Sequence, residues 1–145
     1  MKNLSRVVSL VCFIPLMAFT IALGPGAWKQ VGKSGDWKGT VAGISMNDQL
    51  YTMESSGALY RTDPSTGKWT KIGNNDFKMT KFAMAANGKL YTIETTGSLY
   101  EIEPSTGKWK QKGGNGEWKA TIAATSLDDK LYTVENTGAL YVTDP

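Results

Sequence analysis

Laid over itself, the chain repeats with a period of 40 to 41 residues, and no other feature of the sequence constrains its fold as tightly. Trp28, Trp69 and Trp109 fall in register, with Trp37, Phe77 and Trp118 eight or nine residues further on. Leu-Tyr-Thr recurs at Leu50-Tyr51-Thr52, Leu90-Tyr91-Thr92 and Leu131-Tyr132-Thr133, each followed two residues later by an acid at Glu54, Glu94 or Glu135. Gly57, Gly97 and Gly138 come next. A second Leu-Tyr pair follows at Leu59-Tyr60, Leu99-Tyr100 and Leu140-Tyr141, and then Pro64, Pro104 and Pro145. A unit this short cannot bury its apolar faces alone and has to stack on its neighbours.

Inside one unit the apolar and β-branched runs last four to seven residues and are divided by turn formers. These are Asn47-Asp48, Ser55-Ser56-Gly57 and Asp63-Pro64-Ser65-Thr66-Gly67. The first unit predicts strands at Thr40–Met46, Leu50–Glu54, Ala58–Thr62 and Lys68–Gly73, labelled A to D, and no helical periodicity competes with them. Four short strands in about 40 residues are the signature of a propeller blade. The expected fold is therefore all-β, a β-propeller of three four-stranded blades.

The phase of the repeat matters. Trp28 matches the Trp of strand D, and the sequence runs to Pro145, just before another strand D is due, so Trp28 to Gly32 is available to complete a blade. Propellers close with about 4 to 8 blades, which makes three blades half of a six-bladed ring. Two arrangements fit: a homodimer with two-fold symmetry, each chain lending Trp28 to Gly32 to the other, or a fragment of a longer six-bladed product.

Lys2 and Arg6 precede an apolar stretch from Val7 to Leu23 that Pro15 interrupts, with Thr20 and Ala22 as small residues before a cut. This reads as a signal peptide over residues 1–22, since a membrane anchor needs about 20 apolar residues in a row. Residues 23–145 are then the propeller domain of three ~41-residue repeats. The expected location is secreted or periplasmic, with no stable membrane insertion after cleavage. Cys12, the one cysteine, leaves with the signal, so disulfides and thiol nucleophiles are excluded from the exported protein. Losing Lys2 and Arg6 leaves fourteen basic residues against thirteen acidic ones. A net charge near +1 gives nucleic acid no electrostatic hold.

Histidine is absent, which removes His-dependent triads and ordinary zinc sites. Carboxylates remain. Glu101 and Glu103 lie two apart on a strand and read as a solvated edge, and Asp128-Asp129 sit in a turn that favours Asp. Neither pair is expected to be catalytic, and no cofactor is implied. The distinctive polar residues come in three copies, which fits repeated binding sites rather than one asymmetric catalytic constellation. The D-to-A and B-to-C connections of a blade share one end. Asp36-Trp37, Asp76-Phe77 and Glu117-Trp118 should thus approach Glu54, Glu94 and Glu135. An aromatic plane beside carboxylates and hydroxyls suits a sugar, so glycans are the expected partner, with a protein-interaction scaffold as the alternative. Trp28, Trp69 and Trp109 are expected to pack between blades, and each Leu-Tyr pair to send Leu into the core and Tyr towards the next blade.

The segment IGNNDFKMTKFAMAANGKLY, from Ile72 to Tyr91, and GEWKATIAATSLDDKLYTVENTGALY, from Gly116 to Tyr141, resemble the repeats of tachylectin-type and tectonin lectins. The resemblance covers all three repeats from Trp28 onward. It implies a five- or six-bladed ring that binds N-acetylated or methylated sugars near the D-to-A loops, between adjacent blades. Two departures stand out: the family's doubled glycine survives only as a displaced Gly113-Gly114, and Phe77 stands where the family has Trp.

Overall fold

The computed structural model describes residues 24–145, so the signal peptide expected over 1–22 lies outside the described residues. The first sheet holds β1 (Thr40–Met46), β2 (Gln49–Glu54), β3 (Leu59–Thr62) and β4 (Trp69–Ile72). The second holds β5 (Thr80–Ala86), β6 (Lys89–Glu94), β7 (Leu99–Ile102) and β8 (Trp109–Lys112). The third has three strands, β9 (Thr121–Leu127), β10 (Lys130–Glu135) and β11 (Leu140–Thr143). Each sheet is an antiparallel meander in chain order. Among the described residues the third sheet therefore has three strands where the first two have four. Residues 28–32 form no ladder.

The turn formers explain the hairpins. Asn47 and Asp48 have φ of 50° and 57°, and Asp128 and Asp129 have 47° and 58°. Two consecutive left-handed residues make the two-residue hairpin turn whose twist matches that of its strands, and Asn and Asp tolerate it best after Gly. At the other end of strand A the register slips, between Thr40 and Ala42 and again between Thr80 and Phe82. These bulges sit opposite Glu54 and Glu94, where the ladder ends and the loops begin.

The inner strands of successive blades lie against each other, β1 on β5 and β5 on β9. The core is what fills the gaps between sheets. One cluster joins Tyr51, Met53, Leu59 and Ile72 of the first blade to Phe77, Leu90 and Ile102 of the second. The next joins Met84, Tyr91, Ile93 and Leu99 to Leu131, with Trp118 packed against it. Side chains alternate along a strand, so in Leu-Tyr-Thr the Leu faces the preceding blade and the Tyr the following one. Leu and Tyr therefore both enter a core, on opposite sides of one sheet. Each such residue, fully buried, contributes about 1.5–3 kcal/mol.

Backbone bonds lock the stack. Phe77 N–H donates to the Gly57 carbonyl at 3.0 Å, and Trp118 N–H to the Gly97 carbonyl at 2.9 Å. Gly57 has φ of +89°, and a Cβ there would stand 2.5 Å from the Asn75 carbonyl oxygen. Only glycine satisfies both the backbone angle and the close approach of the next blade.

Candidate binding notches

Blade-internal backbone bonds bring the two connections at one end of a blade together. Ser55 N–H donates to the Gly39 carbonyl at 2.8 Å, Thr95 N–H to Met79 at 2.8 Å, and Asn136 N–H to Ala120 at 3.0 Å. The B-to-C turn is thereby tied to the loop before strand A, which carries the acid-aromatic pair. In the first blade Asp36, Trp37 and Glu54 line one hollow of about 160 Å³ with Thr52, Ser56, Tyr60 and Trp69. In the second, Asp76, Phe77 and Glu94 line a hollow of about 50 Å³ with Tyr100 and Trp109. In the third blade Glu117, Trp118 and Glu135 hold the matching positions, but among the described residues no outer-strand indole stands beside Tyr141, which is exposed.

The aromatic side of each notch is built from strands C and D. Tyr60 meets Trp69 edge to face at 5.1 Å and 79°, and Tyr100 meets Trp109 at 5.2 Å and 88°. Such pairs are worth about 0.5–1.5 kcal/mol beyond their burial and fix the ring orientation. Trp69 and Trp109 remain half exposed, so the expected packing role between blades is not where the structure puts them. They stand on the outermost strand, and the polar residues after them, Thr70-Lys71 and Lys110-Gln111, are the signal that marks that edge. Phe77 goes the other way: it is buried in the first inter-blade core, and only its edge borders the notch. Trp118 packs against the second core, and Trp37 is half-buried, with no preceding blade among the described residues.

The carboxylates differ in their surroundings. Thr40 Oγ1 donates to Glu54 at 2.7 Å, Lys33 N–H to Asp36 at 2.9 Å, and the Trp109 indole N–H to Asp76 at 3.1 Å. Each of these acids keeps further acceptor capacity. Burial pushes the Glu94 carboxyl above its ordinary value, a hydrogen bond from Thr96 opposing it. Glu117 lies over Gly113 and Gly114, where a Cβ on Gly113 would stand 2.5 Å from its Oε2. The displaced glycine pair thus makes room for an acid.

Glu101 and Glu103 are engaged elsewhere. Glu101 takes ion pairs from Lys110 at 2.9 Å and Lys112 at 3.4 Å, and Lys89 pairs with Glu103. Burial alone would raise Glu101, but the bonds from Lys110 and Lys112 outweigh it and hold the carboxyl below its ordinary value. Tyr91, beside Glu101, is pushed up to about 12 by burial and by that charge. Asp128 and Asp129 serve their hairpin, and Asp129 accepts from Asn87 N–H at 2.6 Å, bridging two blades. Among the described residues no group of acids is placed to hold a metal ion, and no helix is long and apolar enough to cross a membrane.

Meandering sheets that stack through their faces around a row of inner strands, with loop notches repeated at one end, define a β-propeller. The chain belongs to the DUF6242 β-propeller domain family, which it matches over residues 27–145. That match supports the propeller, not the tachylectin or tectonin repeat in particular. No curated protein matches the sequence. Among solved structures the chain is similar to BamB from Moraxella catarrhalis, with 13% identity and a TM-score of 0.49 over 69% of this chain and 30% of that one. It is also similar to PorZ of Porphyromonas gingivalis, a bacterial surface component of the type-IX secretion system, with 9% identity and a TM-score of 0.47 over 73% of this chain and 16% of that one. The computationally designed Ika4 protein shows 9% identity and a TM-score of 0.46 over 81% of this chain and 98% of that one. The chain thus spans well under two thirds of BamB and PorZ.

Proposed function

We propose that the chain is a non-catalytic recognition propeller, exported to the periplasm or beyond the cell, that binds a partner polypeptide at the notch end of its blades. The observation that carries this reading is the pairing of aromatic faces with carboxylates, in consecutive blades, in hollows too small to enclose a ligand. They measure about 160 and 50 Å³, against roughly 300–1,000 Å³ for small-molecule pockets. A single Lys or Arg side chain suits such a hollow. Its cation would meet Asp36 and Glu54, or Asp76 and Glu94, while lying over an indole, an attraction of about 0.5–2 kcal/mol. Weak contacts of this kind, presented together on one rigid face, gain by avidity. Catalysis is disfavoured because the acids recur as equivalent copies, and because Lys residues occupy the Glu101 and Glu103 carboxylates.

Peptide arrays in which each Lys or Arg is replaced by Ala test the proposal. Binding is expected to depend on the basic positions and to fall roughly tenfold in Trp69→Leu, with a stability loss of about 0.5–1.5 kcal/mol from the lost contact with Tyr60 that leaves the arc folded. Glycan recognition is the second reading, favoured by the hydroxyls of Thr52 and Ser56 beside Trp69. If basic peptides fail to bind and N-acetylated or methylated sugars bind instead, the glycan reading replaces the first.

A further inference from the structure

The three-blade arc exposes both halves of an interface that it also makes twice internally. Leu90 and Leu131, which face the preceding blade, are 0% and 1% exposed, while Leu50, in the same position of the first blade, is 41% exposed. There it lines an apolar hollow of about 340 Å³ with Val31, Trp37 and Pro64. Leu59 and Leu99, which face the following blade, are 0% and 1% exposed, while Leu140 of the third blade is 65% exposed. The backbone repeats the pattern. Trp37 N–H and the Gly138 carbonyl are the counterparts of the pairs Phe77–Gly57 and Trp118–Gly97, and among the described residues neither has a backbone partner. A Cβ at Gly138 would meet nothing, whereas at Gly57 and Gly97 it would strike the next blade.

Residues 28–31 already stand where a preceding blade would have its outer strand. Gly32 lies against Gly67 as Gly73, which ends an outer strand, lies against Gly107. β11, meanwhile, has one edge with no strand paired to it among the described residues. The first blade pairs Leu59 with Ile72, Arg61 with Thr70 and Thr62 with Trp69. Transferred through the repeat, this register sets Leu140 opposite Val31, Val142 opposite Lys29 and Thr143 opposite Trp28.

We propose that two copies of this chain close head to tail into a six-bladed ring, in which residues 28–31 of each form the outer strand of the other's third blade. Trp28 then completes that blade's notch, beside Tyr141 and between Glu117 and Glu135. Trp28 is 86% exposed in the single arc, and Tyr141 lacks the edge-to-face partner that Tyr60 and Tyr100 have. Rings hold about 4 to 8 blades, so two such arcs together make a ring of ordinary size. Closure also covers the free strand edge, which otherwise invites unspecific pairing. The inference is independent of what the notches bind.

Cross-linking of the exported protein in a Cys12→Ser background tests the register. Directly opposed strand residues stand about 4.5–5.5 Å apart, within disulfide reach of about 4.4–6.8 Å. Lys29→Cys combined with Val142→Cys is expected to give a covalent dimer on oxidation. Light scattering on the parent is expected to give twice the chain mass. Leu140→Asp is expected to return it to the single-chain mass while near-UV circular dichroism shows the first two blades still packed. Three results overturn the proposal: a single-chain mass for the parent at every micromolar concentration, a 29–142 disulfide formed within one chain, or linkage through Tyr141→Cys in place of Val142→Cys, which would mean a slipped register.

Discussion

β6 of the middle blade reads KLYTIE and β2 of the first reads QLYTME, yet Leu90 is sealed while Leu50 lies open. The two strands have the same length, the same pairing and the same alternation. What differs is that, among the described residues, the middle sheet has a neighbouring sheet on both faces and the first on only one. Stability in this arc therefore resides in the gaps between blades, and the same residue is structural in one copy and an exposed apolar surface in another. This is the behaviour of a repeat array, in which interface terms between neighbours carry much of the free energy.

The largest effect expected from breaking that contrast is at Leu90. Leu90→Ala should cost about 2–5 kcal/mol in a urea melt, because it leaves a cavity in the first inter-blade core. Leu50→Ala, measured on single arcs, should cost only a small part of that. Equal losses at the two positions would show that the end blade is packed like the middle one.

The glycines sharpen the comparison next. Gly97 and Gly138 share a φ of +84°, so both resist a side chain to the same degree through the backbone. Only at Gly97 would a Cβ also meet the next blade, 2.4 Å from Lys119 N. Gly97→Ala is thus expected to lower stability by about 1–3 kcal/mol more than Gly138→Ala in single arcs, read as the difference in denaturation midpoints.

The smallest effects lie in the middle blade's acids, whose pH dependences should oppose each other. Glu101 is held below the ordinary value of 4.5. Its contribution is complete above that value and is lost as the pH falls through its lowered pKa. Glu94 is raised above 4.5 by burial, so its contribution is present below that value and is lost as the pH rises through its raised pKa. Glu101→Gln should therefore destabilise at neutral pH and converge with the parent in acid, while Glu94→Gln should be neutral or stabilising at neutral pH. Denaturation midpoints across the acid range read both.

Much of the blade was legible because its signals are local. Strand A at Thr40–Met46 falls where the sequence predicts it, since turn formers on both sides leave no other length for it. The loop acids and the strand-B glutamates were brought together on the same reasoning, through loops that share one end of the blade. Trp69 and Trp109 read as packing residues because a large aromatic in a repeat ordinarily is one, and only their place on the outermost strand exposes them. Phe77 has loop-like neighbours in the sequence, yet its ring is turned into the adjacent blade, which only the stacking of the two sheets decides.

The sequence by itself determined the repeat, the four-strand unit and the phase at which the units are cut. Periodicity, turn chemistry and side-chain alternation act over a few residues and can be read along a line. The tertiary structure alone decided which copy of an equivalent residue is buried, which acid is desolvated, and which indole faces solvent. Those properties depend on whether a second sheet stands within van der Waals reach, and identical segments can differ completely in that.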